Sequence, residues 1–217
     1  MIDGVEVTVG VEAVTVTSPR LLTVISSAAT GGGMMAARAI VNLHVGKDMP
    51  WRDAGLTVEA FIRRQAMARP VVGLLTAAAT EKAQTVVERG AGVTALVVAT
   101  VGLGNVIDAG AGARAAAAPA TINTIVVLDA DPEPAALVNV VMTVTEVKTA
   151  VLAAAGVRCA DGRPASGTST DAVAVAATGR GPRCRFGGPA SDLGWVVARA
   201  ARQALEAGVR RWIAEHP

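Results

Sequence analysis

Few side chains in this sequence have the chemistry to act on a ligand, and most of them fall between Thr121 and Asp171. Asn105 and Asn123 stand at the ends of apolar runs, where a primary amide can orient a polar substrate or donate to an oxyanion. Glu146, once partly buried, would have a raised pKa and could take a proton from water. Lys148 is two residues on, on a more apolar helix face, where its pKa would fall or its ammonium would snorkel to solvent. Thr168 and Thr170 bring hydroxyls to a short loop that delivers Asp171 to the next apolar run. Asp171 is then the acidic partner of Glu146, or the group that holds a departing amine. The plainer reading of Glu146 and Lys148 is an exposed pair on a solvated helix face, and of Asp171 a loop cap.

Other chemistries find little support. There is no phosphate-binding loop, no G-x-S-x-G elbow and no cluster of His, Cys or carboxylates at metal-ligand spacing. His44 and His216 are the two histidines. His44 reads as a satisfied structural residue near a strand end, and His216, at the C-terminus, as a poor general base. Gly110, Gly112 and Ala115 match a dinucleotide fingerprint only superficially, because no helix can follow before Pro119. A net charge of +2 and 2% aromatic residues, with no Tyr, argue against a nucleic-acid surface, which needs a basic face and rings to stack on. Two cysteines, Cys159 and Cys184, are too few for a disulfide framework. With no signal-peptide pattern and no long uninterrupted apolar run, the expectation is a cytoplasmic chain that does not cross a membrane.

The elements that would position these groups follow from periodicity. With 52% hydrophobic residues in 217, a sizeable core of Val, Ala, Leu and Ile is available to a single domain over 1–217. Alternation over 4–17 predicts half-buried strands with a change of register near Gly10, and Leu21–Ile25 a further strand. A-A-T-G-G-G reads as a turn or as a loop that lets a ligand approach the backbone. Strands are expected at 39–45, 71–75, 93–101, 121–128 and 171–177. Helices are expected at 56–68, capped by Thr57, at 81–88, over about 20 residues between Pro134 and Gly156, and at 190–214, capped by Ser191. On the long helix Asn139, Thr143 and Glu146 share one face, and Leu137, Val141, Val144, Lys148 and Leu152 an adjacent one. The fold class is α/β, a central mixed β-sheet with packed helices; a layered α+β arrangement with two sheets is the alternative.

Six blocks occur in order: S-S-A-A-T-G-G-G, V-G-L-L-T-A-A, V-G-L-G-N, T-I-N-T-I-V-V, A-L-V-N-V-V-M-T-V-T-E-V-K-T-A and G-T-S-T-D-A-V. Together they resemble the adenosylcobinamide amidohydrolases, from about Leu21 to the final helix. The combination of T-I-N-T-I-V-V, T-E-x-K-T-A and G-T-x-T-D-A is the specific part. Ala120 and Ser169 stand where the family pattern has glycine.

The resemblance implies a corrinoid-salvage enzyme that hydrolyses the amide joining aminopropanol to the corrin ring, leaving adenosylcobyric acid. It implies a corrinoid as small-molecule partner, no cofactor beyond the cobalt that the substrate carries, and leaves a homo-oligomer open. Ser26, Ser27, Gly31, Gly32, Asn105, Asn139, Thr168 and Thr170 are the expected substrate-binding positions. The loops 30–33 and 102–114 are expected to line the groove. Glu146, Asp171, Lys148 and Asn123 are the expected catalytic ones, their roles assigned by chemistry. Two rival functions are a corrinoid-binding protein without catalysis, and an unrelated amidase whose nucleophile, Thr121 or Thr168, is exposed by self-cleavage.

Overall fold

The structure is a computed structural model, and it describes residues 1–112 and 120–217. Arg114, Ala115 and Pro119, named above, lie outside the described residues. In chain order the elements are β1 (Glu6–Val9), β2 (Ala13–Ser26), β3 (Gly33–His44), α1 (Ala54–Arg64), β4 (Val71–Thr76), β5 (Gln84–Gly90), β6 (Val93–Val101), β7 (Val106–Ile107), β8 (Ile122–Asp129), β9 (Asp131–Pro132), α2 (Pro134–Ala154), β10 (Gly167–Thr168), β11 (Ala172–Ala177), β12 (Arg183–Cys184) and α3 (Asp192–Glu215).

Eight strands form one mixed sheet in the order β4-β3-β2-β11-β8-β6-β5, with β1 also on β2. The sheet doubles back on itself. Val14, Val24, Ile40 and Leu74 of one half pack in a single apolar cluster with Leu96, Val98, Ile125, Val127 and Ala174 of the other. Each half has a second face. On the first half Val41 and Val71 meet Val58, Phe61 and Ile62 of α1. On the second, Val97, Val126 and Val175 meet Leu137 and Val144 of α2 and Val197 and Leu205 of α3. The expected central mixed sheet is therefore present, arranged as two inner layers between helices, and the inner strands of the second half, β6, β8 and β11, are covered on both faces. That explains the near-continuous apolar runs of β6 and β8.

Several local expectations are met by the predicted residues. Pro134 is the first residue of α2, and Ser191 Oγ accepts the Gly194 amide at 3.1 Å at the start of α3. The two strands expected on either side of residue 20 are one long strand, β2, whose pairing with β3 shifts register between Thr17 and Leu22. Pro19, which has no amide to donate, falls in that irregularity. Thr57 is not a cap: Asp53 holds the N-cap position of α1, and the Thr57 hydroxyl donates back to Asp53 O at 2.9 Å.

The helix expected at 81–88 is a strand. Gln84–Gly90 pairs antiparallel with β6 through a tight turn at Ala91 and Gly92, both at positive φ. The β-branched run Thr85-Val86-Val87 and a turn that matches strand twist outweigh the helix-forming Glu81, Lys82 and Glu88.

α2 is long and apolar enough, by length and composition, to cross a membrane. Here Ala136, Leu137, Val140, Val144, Val147, Val151 and Leu152 are buried against the sheet and α3.

Candidate active site

β8 and β11 are parallel neighbours, and both begin at the same end of the sheet. The blocks T-I-N and G-T-S-T-D stand at those two starts, so residues 44 or more apart in sequence are laced together. The Thr170 hydroxyl donates to Ala120 O at 2.9 Å, and Thr170 O accepts the Thr121 hydroxyl at 2.7 Å. Ile122 N donates to Asp171 Oδ1 at 3.0 Å.

On the helix side of this seam lies a charged cluster. Lys148 Nζ donates to Asp171 Oδ2 at 2.5 Å, with side chains 14% and 13% exposed. Asp171 also accepts the Thr168 amide at 3.0 Å and the Thr168 hydroxyl. With Ile122 N that makes four donors on one carboxylate, about as many as its lone pairs can take. Gly167 is a glycine for this reason: a Cβ there would lie 2.5 Å from Asp171 Oδ2 and 2.7 Å from Lys148 Nζ. One turn of α2 grips the loop twice, since the Thr149 hydroxyl donates to Ser166 O at 3.0 Å.

On the opposite side, between the two sheet layers, lies a neutral cluster. Asn123 Nδ2 donates to Asn42 Oδ1 and to Leu75 O, both at 2.8 Å. Asn42 Nδ2 donates to Thr100 Oγ1 at 2.9 Å. With its two amide hydrogens used, Asn123 turns Oδ1 toward the Thr121 hydroxyl at 3.0 Å. These residues come from β3, β4, β6 and β8, and interrupt an otherwise apolar interior at one end only. Asn42 and Thr100 are the site residues that sequence reading missed. Each sits in an apolar strand as Asn123 does, and that shared signal, a polar residue on a buried strand face, could have found them.

The neutral cluster opens outward. A cavity of about 400 Å³ runs between the end of α3 and the segments 77–79 and 102–104, with Ala120 in its wall. A smaller one of about 30 Å³ adjoins it through Lys47, Ala77 and Ala120 and is lined by Thr76, Thr121 and Thr170. Small side chains form most of the wall, and Lys47, Lys82, Arg211 and Glu215 supply charge. Lys82 holds the Glu215 carboxyl below the usual range, chiefly by its hydrogen bond, with Arg211 adding to the effect. Trp212 and His216 stack at the same wall, 4.2 Å between ring centroids.

The other expected site residues divide clearly. Gly102 and Gly104 line the cavity; Asn105 donates to Ser169 Oγ at 2.7 Å and so joins the seam from the other side. Glu146 is not brought to either cluster. It is exposed on the outer face of α2, about 200° around the helix from Lys148, and no hydrogen bond or ion pair engages it among the described residues. Asn139 and Thr143 fasten a loop, through Gly187 N and Gly187 O. Ser27 caps the seam at Val173, with hydrogen bonds of 3.0 and 3.1 Å, and Ser26 donates to Gly31 O at 3.4 Å. Two of the glycines of 30–33 lie against protein: a Cβ on Gly32 would lie 2.6 Å from Ala28 O, and one on Gly31 2.8 Å from Met35 Sδ, while one on Gly33 would meet nothing within 4 Å. His44 is satisfied by Ala78 O at 3.0 Å.

A family model described as adenosylcobinamide amidohydrolase matches residues 1–217, and the chain belongs to that family. Among solved structures, a beta-aminopeptidase of Burkholderia sp. is similar at 15% identity and a TM-score of 0.42, over 93% of this chain and 78% of that one. A protein of Pyrococcus horikoshii OT3 is similar at 12% identity and the same TM-score, 0.42, over 99% of this chain and 80% of that one. No curated protein matches.

Proposed function

We propose that this member of the adenosylcobinamide amidohydrolase family hydrolyses the amide between aminopropanol and the corrin ring of adenosylcobinamide, releasing adenosylcobyric acid for corrinoid salvage. One observation carries the reading. Thr121, Asn123, Lys148, Thr168, Thr170 and Asp171, from three separate family blocks, are hydrogen-bonded into one seam beside a cavity of about 400 Å³. A cavity of that size takes a side arm of the substrate, with the macrocycle outside against small residues. Cobalt arrives with the substrate and stays with it.

The roles follow from what each group has left to offer. Asp171 has no acceptor site free, so with Lys148 it positions the two strand starts. Asn123 aims the Thr121 hydroxyl, and Thr121 and Thr170 face the substrate amide from the smaller cavity. Hydrolysis at neutral pH needs a polarised carbonyl and a proton for the leaving amine.

The test is incubation of the protein with adenosylcobinamide and chromatography of the products. Adenosylcobyric acid and free aminopropanol in equal amounts are expected. An unchanged corrinoid, with folded protein in excess, would end the reading.

A further inference from the structure

The peptide between Ala120 and Thr121 lies where the two cavities meet. Its carbonyl oxygen already accepts a hydrogen bond from the Thr170 hydroxyl, at 2.9 Å. The adjoining Thr121 hydroxyl is 3% exposed with its residue, and its one proton has two acceptors in reach, Thr170 O at 2.7 Å and Asn123 Oδ1 at 3.0 Å. A carbonyl oxygen and an amide oxygen orient a hydroxyl but do not take its proton at neutral pH. A threonine that attacks a separate substrate over many turnovers needs a base within hydrogen-bond reach. No carboxylate, imidazole or amine is hydrogen-bonded to the Thr121 hydroxyl among the described residues. The base such a residue can acquire is its own α-amine, which exists only once the preceding peptide is cut.

We propose that the chain cuts itself between Ala120 and Thr121, and that Thr121, as the new N-terminal residue, is the nucleophile of the amide hydrolysis. This rests on the amidohydrolase reading above and specifies its mechanism. In the cut, Thr121 Oγ attacks the Ala120 carbonyl carbon, with the Thr170 hydroxyl donating to the oxygen as it gains charge. The Oγ–C bond forms, the C–N bond breaks, and the hydroxyl proton ends on the Thr121 nitrogen, now an amine. Water hydrolyses the resulting ester, leaving an Ala120 carboxylate and the free hydroxyl. In turnover the same oxygen attacks the substrate's amide carbon. Its proton passes to the α-amine and from there to the departing aminopropanol nitrogen, and water releases the acid from Oγ.

The cut spares the sheet. β8 begins at Ile122 and keeps its partners β6 and β11, so both pieces stay in one fold. Denaturing mass spectrometry of the purified protein should therefore show two polypeptides, residues 1–120 and 121–217, with the second beginning Thr-Ile-Asn-Thr on N-terminal sequencing. Thr121→Ala should give one species of 21.8 kDa and no turnover. Thr121→Ser should cut and turn over, which guards against misfolding as the cause. Thr170→Val should slow the cut on the order of 10²-fold, as loss of one oxyanion donor does. An uncut wild-type chain that releases adenosylcobyric acid overturns this proposal and leaves the amidohydrolase reading standing. A cut chain that leaves adenosylcobinamide untouched does the reverse. An uncut, inactive chain overturns both.

Discussion

The two polar clusters on either side of the β8–β11 seam are built from opposite materials. Under α2, Lys148 and Asp171 are charged and nearly buried, and the carboxylate is filled by four donors. Between the sheet layers, Asn42, Thr100, Thr121 and Asn123 are neutral, and the last of their hydroxyls borders a cavity. The difference follows from desolvation. A charge taken out of water must be paired and hydrogen-bonded almost completely, so it has nothing left for a ligand. A neutral amide costs less to bury and can stand near an opening with one bond to spare. In this molecule the buried charges of the family blocks, Lys148 and Asp171, hold the seam, and the neutral Thr121 borders the cavity.

Breaking the frame should have the largest effect. Asp171→Ala strands the Lys148 ammonium under α2, and loss of one partner of a buried pair costs about 3–5 kcal/mol. Urea unfolding should show it directly. Replacing Lys148 with Met in the same chain should recover part of the loss, because the stranded charge is gone. A single Asp171→Ala variant as stable as the wild type would mean that the pair is not holding the seam.

The neutral cluster should respond the other way round. Asn123→Ala removes the donor to Asn42 Oδ1 and Leu75 O and lets the Thr121 hydroxyl turn. Leaving those acceptors without a donor costs about 1–3 kcal/mol. Turnover of the folded fraction should fall further than stability does, on the order of 10²-fold. If stability falls and turnover per folded molecule does not, Asn123 belongs with the frame and the comparison collapses. At the edge of the charged cluster, Thr149→Val loses one half-exposed bond to Ser166 O. It should cost about 0.5–1.5 kcal/mol in the same unfolding assay, with turnover unchanged.

Much of this was legible in the sequence. Pro134 and Ser191 announced their helices, the runs 93–101 and 121–128 announced buried strands, and the three family blocks named most of the seam. What was not legible is long-range. Nothing local says that the sheet doubles over, and only the doubling sets Asn42 of β3 against Asn123 of β8. Segment 84–90 mixes strand-forming and helix-forming residues, and its partner β6 decides it. Gly31 and Gly32 could be read as open space until the surrounding backbone showed what fills it.

Glu146 carries the smallest expected effect and the most information. Spacing on a helix is a relative measure. Asn139, Thr143 and Glu146 do share an arc of α2, as their i, i+4 and i+7 positions require. That arc straddles the border of the buried face: Thr143 is buried and bonded to Gly187 O, while Glu146 is exposed. α2 is apolar over most of its circumference, so its sequence does not reveal which side meets the sheet. A carboxylate in water has no fixed geometry toward a substrate in a cavity on the other side of the helix. Glu146→Gln should therefore leave stability within about 0.5 kcal/mol and turnover at the wild-type level. The comparison becomes sharper if Glu146→Gln is silent while Asn123→Ala is not, in unfolding and product assays run side by side. A large loss of turnover in folded Glu146→Gln protein would bring this residue into the mechanism and require that the outer face of α2 meets the substrate.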